Sequence, residues 1–171
     1  MRVFLAGPGT QRSFLGQLIR EKLPAMGYES YDWTSGPGWD NPQAFIPVEV
    51  ARRDIEEIRR SDFVVRFVDG EHISDGAAFE AGFCIARGIP LVTWLCKSLQ
   101  GKPPHNYIYS HLTLDDADHQ VANSLEEALR LGVEAVSREI IQTQTAGIQE
   151  QSKLLESQNS ASRKRNASTD G

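Results

Sequence analysis

Short apolar runs alternate with amphipathic stretches along most of the chain. The runs are bounded by turn residues and predict five strands, at Arg2–Ala6, Glu29–Trp33, Phe63–Val68, Pro90–Cys96 and Tyr107–His111. Apolar residues at helical spacing predict the helices, at Ser13–Met26, Gln43–Arg60, Gly76–Ala86 and Leu125–Gln149. Because strands that alternate with helices form right-handed crossovers, this order predicts a parallel sheet with helices on both faces.

The order of elements indicates an α/β fold with a single domain. We expect a flavodoxin-like or Rossmann-like sandwich with a mostly parallel five-stranded sheet, which binds its ligands at the carboxyl ends of the strands. The domain is expected to span residues 1–150. Residues 151–171 are expected to form a disordered polar tail, because Ser157–Gly171 contains no large apolar residue.

Composition and charge narrow the possible classes of function. The chain has 171 residues, of which 40% are hydrophobic and 24% charged, as in ordinary soluble proteins. Its net charge of −5 argues against nucleic-acid binding, which needs a basic surface. Because neither a signal peptide nor an apolar run of membrane length is evident, we expect a cytoplasmic protein without membrane association.

The cysteines and histidines do not suggest a metal centre. Cys84 and Cys96 lie in apolar stretches, which favours buried free thiols over a disulfide or a zinc site. The four histidines are scattered and lack the spacing of metal ligands. We therefore expect no metal and no cofactor.

Glu80 is the one charged residue in the run Gly76–Ala86, which is otherwise small or apolar. A helix that is apolar on every side is expected to be buried, and a buried carboxylate needs a partner or a function. The small neighbours Ala77, Ala81 and Gly82 leave room around this carboxylate for a ligand. The alternative is that Glu80 caps the start of the helix or reaches solvent through a gap.

Asp54 is a second candidate acid, on the helix before the third predicted strand. It borders the apolar stripe formed by Ile55 and Ile58, so it is expected near the buried side. Two acids near one pocket suit covalent glycosyl chemistry, in which one attacks the anomeric carbon and the other transfers the proton of the leaving group. The alternative is a surface ion pair with a neighbouring arginine.

Two further segments carry candidate binding residues. Ser74, Asp75 and Gly76 form the turn into the helix of Glu80, where free N–H groups can hold an anion such as a phosphate; the alternative is simple capping. Trp33, with Asp32 beside it, is a candidate to stack on a nucleobase at the end of a strand. The alternative is that this tryptophan, like Trp39, only packs against its loop.

Three segments together resemble the nucleoside 2-deoxyribosyltransferase family and its nucleotide N-hydrolase relatives: RVFLAGPG, RDIEEIRRSDFVV and SDGAAFEAGFCIARGIPLV. The resemblance covers Met1–Asn106. It implies that Glu80 is the nucleophile that attacks C1′ of the sugar and holds it as a covalent glycosyl-enzyme. It also implies that Asp54 is the acid/base that protonates the departing base and then activates the acceptor.

The resemblance further implies which residues contact the substrate. The loop at Ala6, Gly7 and Pro8 matches the segment that lines the sugar and base site. Asn106 resembles the asparagine that a neighbouring subunit contributes to the site, so a homo-oligomer is expected. Ser74 stands where nucleoside enzymes commonly have an acid, and a serine there resembles the 5′-monophosphate hydrolases, in which it helps bind the phosphate.

We therefore expect an enzyme that cleaves or transfers the N-glycosidic bond of (deoxy)nucleosides. The acceptor, a base or water, stays open, and the substrate is expected to be a nucleoside with its 5′-monophosphate as the runner-up. Two alternatives belong to other classes of function. One is a nucleotide-binding or sensing domain without catalysis, and the other is a domain that acts through interactions of its tail.

Overall fold

The computed structural model describes residues 1–35, 47–70, 74–96 and 119–167. The strands are β1 (Val3–Ala6), β2 (Phe63–Val68), β3 (Leu91–Leu95) and β4 (His119–Ala122). The helices are α1 (Arg12–Gln17), α2 (Pro47–Arg60), α3 (Asp75–Arg87) and α4 (Leu125–Ala167). After α1 the chain continues through a π-helical segment (Leu18–Lys22) and a short α-helical turn (Leu23–Ala25).

The described strands form a parallel sheet in the order β1-β2-β3-β4. Glu29 adds a single parallel bridge to Arg2 at the start of β1. With Glu29 placed on the outer edge of β1, the order becomes that of a flavodoxin-like sheet. The predicted α/β sandwich with a parallel sheet is therefore confirmed.

Two of the predicted strands need comment. The strand expected at Glu29–Trp33 is reduced to the bridge at Glu29, because the chain turns into a short 3₁₀ helix at Trp33–Ser35. The Asp32 carboxylate stabilises the start of this 3₁₀ helix, because it accepts a hydrogen bond from the N–H of Thr34 at 3.0 Å. The strand expected at Tyr107–His111 lies outside the described residues, whereas β4 is a strand that the sequence pattern did not predict.

Residues 1–136 form one of two compact units. The hydrophobic core of this unit lies on both faces of the sheet. Because successive side chains of a strand point to opposite faces, the central strand β2 contributes to both cores. Phe63, Val65 and Phe67 pack in the first core, with apolar residues of α1 and of the first turns of α4. Val64 packs in the second core with Ile58 of α2 and the small residues of α3.

The ends of α3 follow from the residues that flank it. Ser74 caps its start, since the Ser74 Oγ accepts a hydrogen bond from the N–H of Ala77 at 3.1 Å. Gly88 ends it with a φ of 66°, a left-handed conformation that glycine adopts without strain. The N–H of Ile89 then bonds the carbonyl of Cys84 at 2.9 Å, which satisfies one of the last carbonyls of the helix.

Helix α4 begins at Leu125 as predicted but is longer than expected. It runs to Ala167 instead of ending near Gln149, and it crosses from the unit Met1–Val136 into the unit Ser137–Gly171. The helix thus includes residues 151–167, for which disorder is expected from composition. The division into a domain of residues 1–150 and a tail stays a prediction.

Candidate active site

Asp54 and Glu80 lie on neighbouring helices that cover the second face of the sheet. Ile58 is fully buried against this face, and Asp54 lies one turn earlier on α2. In such crossovers the helix runs antiparallel to the strands, so this earlier turn is nearer their carboxyl ends. On α3 the buried stripe consists of Ala77, Ala81 and Cys84, and Glu80 borders it. Both acids are therefore partly buried in the groove between α2 and α3.

Burial sets the acidity of both carboxyls. Burial, together with the charge of Asp54, raises the pKa of Glu80 to about 8, against the opposing effect of the Arg66 charge. Burial also raises the pKa of Asp54 to about 6, with Arg53 lowering and Glu57 raising the value. The buried Oδ1 of Asp54 has no hydrogen-bond partner within the described part of the chain. Between about pH 6 and about pH 8 the two acids therefore hold about one proton, and it lies mainly on Glu80.

Such a pair can carry out both halves of a displacement reaction. An ionised carboxylate can attack an electrophilic carbon, while a neutral carboxyl beside it can donate its proton to the leaving group. The order of the two pKa values matters here. The group expected to be the nucleophile, Glu80, holds its proton more tightly than the group expected to be the acid, Asp54.

Arg66 is a residue of this groove that the sequence analysis missed. It lies on β2, two residues after Val64 and therefore on the same face of the sheet, and only 3% of it is exposed. Its neighbours in the sheet are Ala6 of β1 and Thr93 of β3. A signal was present in the sequence, because a lone arginine interrupts the apolar strand FVVRFV just as Glu80 interrupts the apolar run of α3.

The predicted loop at Ala6, Gly7 and Pro8 lies at the carboxyl end of β1. Gly7 has little free space around it, because a Cβ atom there would lie 2.5 Å from Cδ1 of Leu15. After the buried Pro8 the chain forms a 3₁₀ turn, Gly9–Gln11, in which the N–H of Gln11 bonds the carbonyl of Pro8 at 2.9 Å. The loop is thus packed closely against the first helix.

An aromatic group borders this loop on the first face of the sheet. It consists of Phe14, Phe67 and Trp94, whose ring centroids are 4.7 to 6.1 Å apart. Phe67 and Trp94 lie near the carboxyl ends of β2 and β3, and Phe14 is the exposed member of the group. The sequence analysis did not single out these rings, because their spacing along the chain gives no sign that they meet.

Asp32 and Trp33 have structural partners. The Nε1 of Trp33 donates a hydrogen bond to the carbonyl of Leu5 at 2.7 Å, and its ring packs against both cores. Asp32 forms an ion pair with Arg20 at 2.9 Å. Burial tends to raise the pKa of Asp32, but hydrogen bonds from Thr34 and Arg20 hold it below the ordinary value. These contacts fit the packing alternative for Trp33, and a role in base recognition stays a prediction.

The remaining expected site residues are placed as follows. Ser74, Asp75 and Gly76 form the start of α3, as expected, with Ser74 as the capping residue. Asn106 and Trp39 lie outside the described residues. The expectation that α3 is buried on every side is wrong, because 62% of Phe79 is exposed. The small residues Ala77 and Ala81 face the sheet, whereas Phe79 does not.

Metal-ligand clusters and membrane-spanning helices are absent from the described part of the chain. Within residues 1–35, 47–70, 74–96 and 119–167, no group of three His, Cys, Asp or Glu side chains could hold a metal ion. None of the helices in these ranges is both long and apolar enough to cross a membrane. Cys84 and Cys96 are not joined in a disulfide, and burial raises the pKa of the Cys84 thiol to about 12.

Comparison with known proteins places these residues in context. The family model described as nucleoside 2-deoxyribosyltransferase matches residues 3–104, a range that contains Asp54 and Glu80 and ends before Asn106. Among curated proteins, none matches the chain.

Several solved structures are similar to this chain. A CMP N-glycosidase of Clostridium botulinum is 23% identical, with a TM-score of 0.48 over 76% of this chain and 95% of that one. A 2-deoxyribosyltransferase of Leishmania mexicana is 20% identical, with a TM-score of 0.49 over 78% and 97% of the two chains. A 2-deoxyribosyltransferase of Bacillus psychrosaccharolyticus is 18% identical, with a TM-score of 0.42 over 56% and 72%.

Proposed function

The chain belongs to the nucleoside 2-deoxyribosyltransferase family, and we propose that it breaks the N-glycosidic bond of a (deoxy)nucleoside through a covalent bond between C1′ and Glu80. The observation that carries this proposal is the pair of partly buried carboxyls, Asp54 and Glu80, in the groove between α2 and α3. A domain that only binds nucleotides has no need for two acids whose pKa values are both raised by burial.

The reaction proceeds in two displacements. In the first, a Glu80 carboxylate oxygen forms a bond to C1′ while the bond from C1′ to the base nitrogen breaks. The electron pair of that bond goes to the base, which takes the proton of Asp54. In the second displacement, an acceptor forms a bond to C1′ while the bond from C1′ to the Glu80 oxygen breaks. The acceptor loses its proton to the Asp54 carboxylate, and Glu80 is released. With a base as the acceptor the enzyme is a transferase, and with water it is a hydrolase.

We propose a nucleoside as the preferred substrate and hydrolysis of a nucleoside 5′-monophosphate as the second candidate function. Ser74 supports the second candidate. Its Oγ accepts a hydrogen bond from the N–H of Ala77, but its hydroxyl hydrogen remains available to donate to a phosphate oxygen. The first N–H groups of α3 and the dipole of this helix also favour an anion there, whereas the charge of Asp75 opposes it.

We also propose that the enzyme works as a homo-oligomer. Large apolar side chains are exposed on the helices that carry the two acids, namely Val48 on α2 and Phe79 and Ile85 on α3. Exposed apolar residues of this size favour a contact with another protein surface. A cytoplasmic location stays a prediction.

The test of the proposed function is an assay for release of free base. The protein is incubated with a panel of deoxynucleosides, ribonucleosides and their 5′-monophosphates, with and without a second base as the acceptor, and the products are separated by chromatography. Wild type is expected to release base, and Glu80→Gln is expected to lose this activity. The matched control is Glu56→Gln, which changes an exposed glutamate of α2. Release by Glu80→Gln at the wild-type rate, or no release by wild type from any substrate, would contradict the proposal.

A covalent adduct provides a second readout. With a substrate whose sugar leaves the enzyme slowly, intact mass should increase by the mass of the sugar in wild type and not in Glu80→Gln. Asp54→Asn should lose about a hundred- to ten-thousandfold in rate with a natural base, and less with an activated leaving group that needs no proton. Equal losses with both kinds of leaving group would mean that Asp54 does not act as the acid.

A further inference from the structure

We propose that Arg66 is a positioning residue whose charge stabilises the ionised form of Glu80, so that the arrangement with an ionised nucleophile and a protonated Asp54 is more populated than it would be without this arginine. This inference rests on the proposed function and deepens it. Its test has a readout that does not depend on turnover.

The placement of Arg66 follows from the pleat of β2. Val64 packs in the second core with Ala77 and Ala81 of α3, and Arg66 follows it by two residues on the same face. The step from Val64 to Arg66 leads about 6–7 Å along the strand, towards the carboxyl end where α3 begins. Arg66 therefore lies beneath the segment of α3 that carries Glu80.

The neighbours of Arg66 leave space for its side chain. In the register of the sheet it is flanked by Ala6 on β1 and Thr93 on β3, both small and both buried. A long side chain between two short ones can extend over the sheet and reach the groove between the helices. Neither flanking residue carries a charge that would compete with Glu80 for the guanidinium.

A buried arginine brings a fixed positive charge into the groove. The guanidinium stays protonated in proteins, and burying such a charge is costly unless a carboxylate lies near it. The charge of Arg66 lowers the pKa of Glu80, whereas the positive charge that lowers the pKa of Asp54 is that of Arg53. The charge of Arg66 thus favours the ionised form of Glu80, the acid expected to attack.

The other groups that act on Glu80 do not favour its ionised form. Asp54, from α2, raises the pKa of Glu80, and Cys84, from α3 itself, is a neutral thiol across the range of interest. From β1 and β3 the residues of this face beside Arg66 are uncharged. On the described elements packed around Glu80, Arg66 is therefore the group whose charge lowers its pKa.

The charge of Arg66 matters because a single proton shared by the two acids can lie either on Glu80 or on Asp54. Only the arrangement with Glu80 ionised and Asp54 neutral suits the proposed reaction, and burial of Glu80 favours the opposite one. A cation beneath Glu80 increases the population of the reactive arrangement. Loss of this cation should therefore lower the population of the reactive arrangement further, and with it the rate, without removing either acid.

The direct test is a titration of the side-chain carboxyls by NMR. In protein labelled with ¹³C-glutamate, the resonance that is absent from Glu80→Gln belongs to Glu80. Arg66→Met keeps a long side chain without its charge, and the midpoint of the Glu80 titration is expected to rise by about one pH unit or more, which is tenfold in the ionisation constant. Arg66→Lys should keep most of the wild-type midpoint. Arg130→Met, at an exposed arginine paired with Glu134, is the matched control and should change nothing.

The kinetic counterpart is the pH dependence of kcat/KM. The limb on which activity rises with pH should move to higher pH in Arg66→Met, with a loss of about tenfold or more at pH 7 that lessens at higher pH.

A Glu80 midpoint that is unchanged in Arg66→Met would overturn the inference, as would a shift confined to Asp54. If Arg66→Met does not fold, Arg66→Gln, which also removes the charge, decides by the same midpoint. Absence of turnover in wild type would contradict the proposed function instead, and the titration would still decide how Arg66 acts on Glu80.

Discussion

The side-chain amide of Gln11 donates a hydrogen bond from Nε2 to Oδ2 of the buried Asp69 at 3.1 Å. Gln11 ends the turn that follows β1, and Asp69 directly follows β2. This bond therefore joins two segments at the carboxyl edge of the sheet, the edge at which open α/β sheets bind ligands. The link fixes the β1 loop, which the family resemblance implies lines the sugar and base site.

Gln11→Ala should weaken substrate binding more than the chemical step. A hydrogen bond to a charged group contributes about 1.5–3 kcal/mol, part of which holds the loop in place. We expect KM to rise several-fold, up to about tenfold, with kcat nearly unchanged. The matched control is Gln17→Ala, which removes an exposed glutamine of α1 whose side-chain amide donates to Glu21 one turn later. A fall in kcat with KM unchanged would mean that the loop acts on the reacting atoms instead.

The raised pKa of Glu80 predicts how stability depends on pH. The folded protein holds this proton up to about pH 8, whereas an unfolded chain releases it near the ordinary glutamate value of 4.5. Between these values the folded state binds more protons than the unfolded state, so the free energy of unfolding falls as pH rises. The glutamine of Glu80→Gln has no charge to bury. This variant should therefore be more stable than wild type at pH 8, by about 1 kcal/mol or more.

The measurement is denaturant unfolding of both proteins from pH 5 to pH 9. The difference in stability between Glu80→Gln and wild type should shrink towards pH 5, because this approaches the ordinary pKa of 4.5 at which the unfolded chain also takes up the proton. Glu56→Gln, at an exposed residue, should follow wild type throughout. A difference that grows towards acid pH would show that the pKa of Glu80 is lowered rather than raised.

The elements that the sequence predicted well are those whose pattern is local. β1, β2 and β3 were placed within one residue of their observed ends, because each is an apolar run between turn residues. β4 was missed because HQVA contains only two apolar residues, and it becomes a strand by pairing with β3. The expected strand at Glu29–Trp33 fails because the Asp32 side chain bonds the backbone and turns the chain.

Residues of the candidate site can be predicted from the sequence where a charged residue interrupts or borders an apolar pattern. Glu80 and Asp54 could be found because each acid borders an apolar stripe. Arg66 carries the same kind of signal, because it is the one charged residue in the apolar strand FVVRFV. The bond between Gln11 and Asp69 gave no signal at all, because it joins residues 58 positions apart that only the fold brings together.

Gly132 provides a test of the packing that supports the site. It lies on α4, and a Cβ atom at this position would overlap the ring of the fully buried Phe63 at the start of β2. Gly132→Ala is therefore expected to lower the free energy of unfolding by about 1–3 kcal/mol. The control is Gly82→Ala on α3, which has nothing within 4 Å of the added Cβ and should raise stability by about 0.5–1 kcal/mol. Equal effects of the two substitutions in thermal unfolding would contradict this packing.

A substitution of Ser74 can test whether the substrate carries a 5′ phosphate, and it can do so while the cap at the start of α3 is kept. Replacing a capping serine by alanine costs about 1 kcal/mol, but replacing it by glycine costs only a few tenths, so Ser74→Gly removes the hydroxyl with little effect on the cap. The matched control is Ser124→Gly, because Ser124 caps α4 in the same way, with its Oγ accepting from the N–H of Glu127 at 3.1 Å. Both variants should keep nearly the wild-type melting temperature.

The quantity to measure is the ratio of kcat/KM for a deoxynucleoside 5′-monophosphate to that for the deoxynucleoside. A hydrogen bond from the Ser74 hydroxyl to a phosphate would raise this ratio by about ten- to a hundredfold, but the negative charge of Asp75 beside it works against a phosphate. For the proposed preference for nucleosides we expect a ratio below one in wild type that is unchanged in Ser74→Gly and in Ser124→Gly. A ratio well above one that falls at least tenfold in Ser74→Gly alone would instead identify the monophosphate as the substrate, held by this hydroxyl at the start of α3.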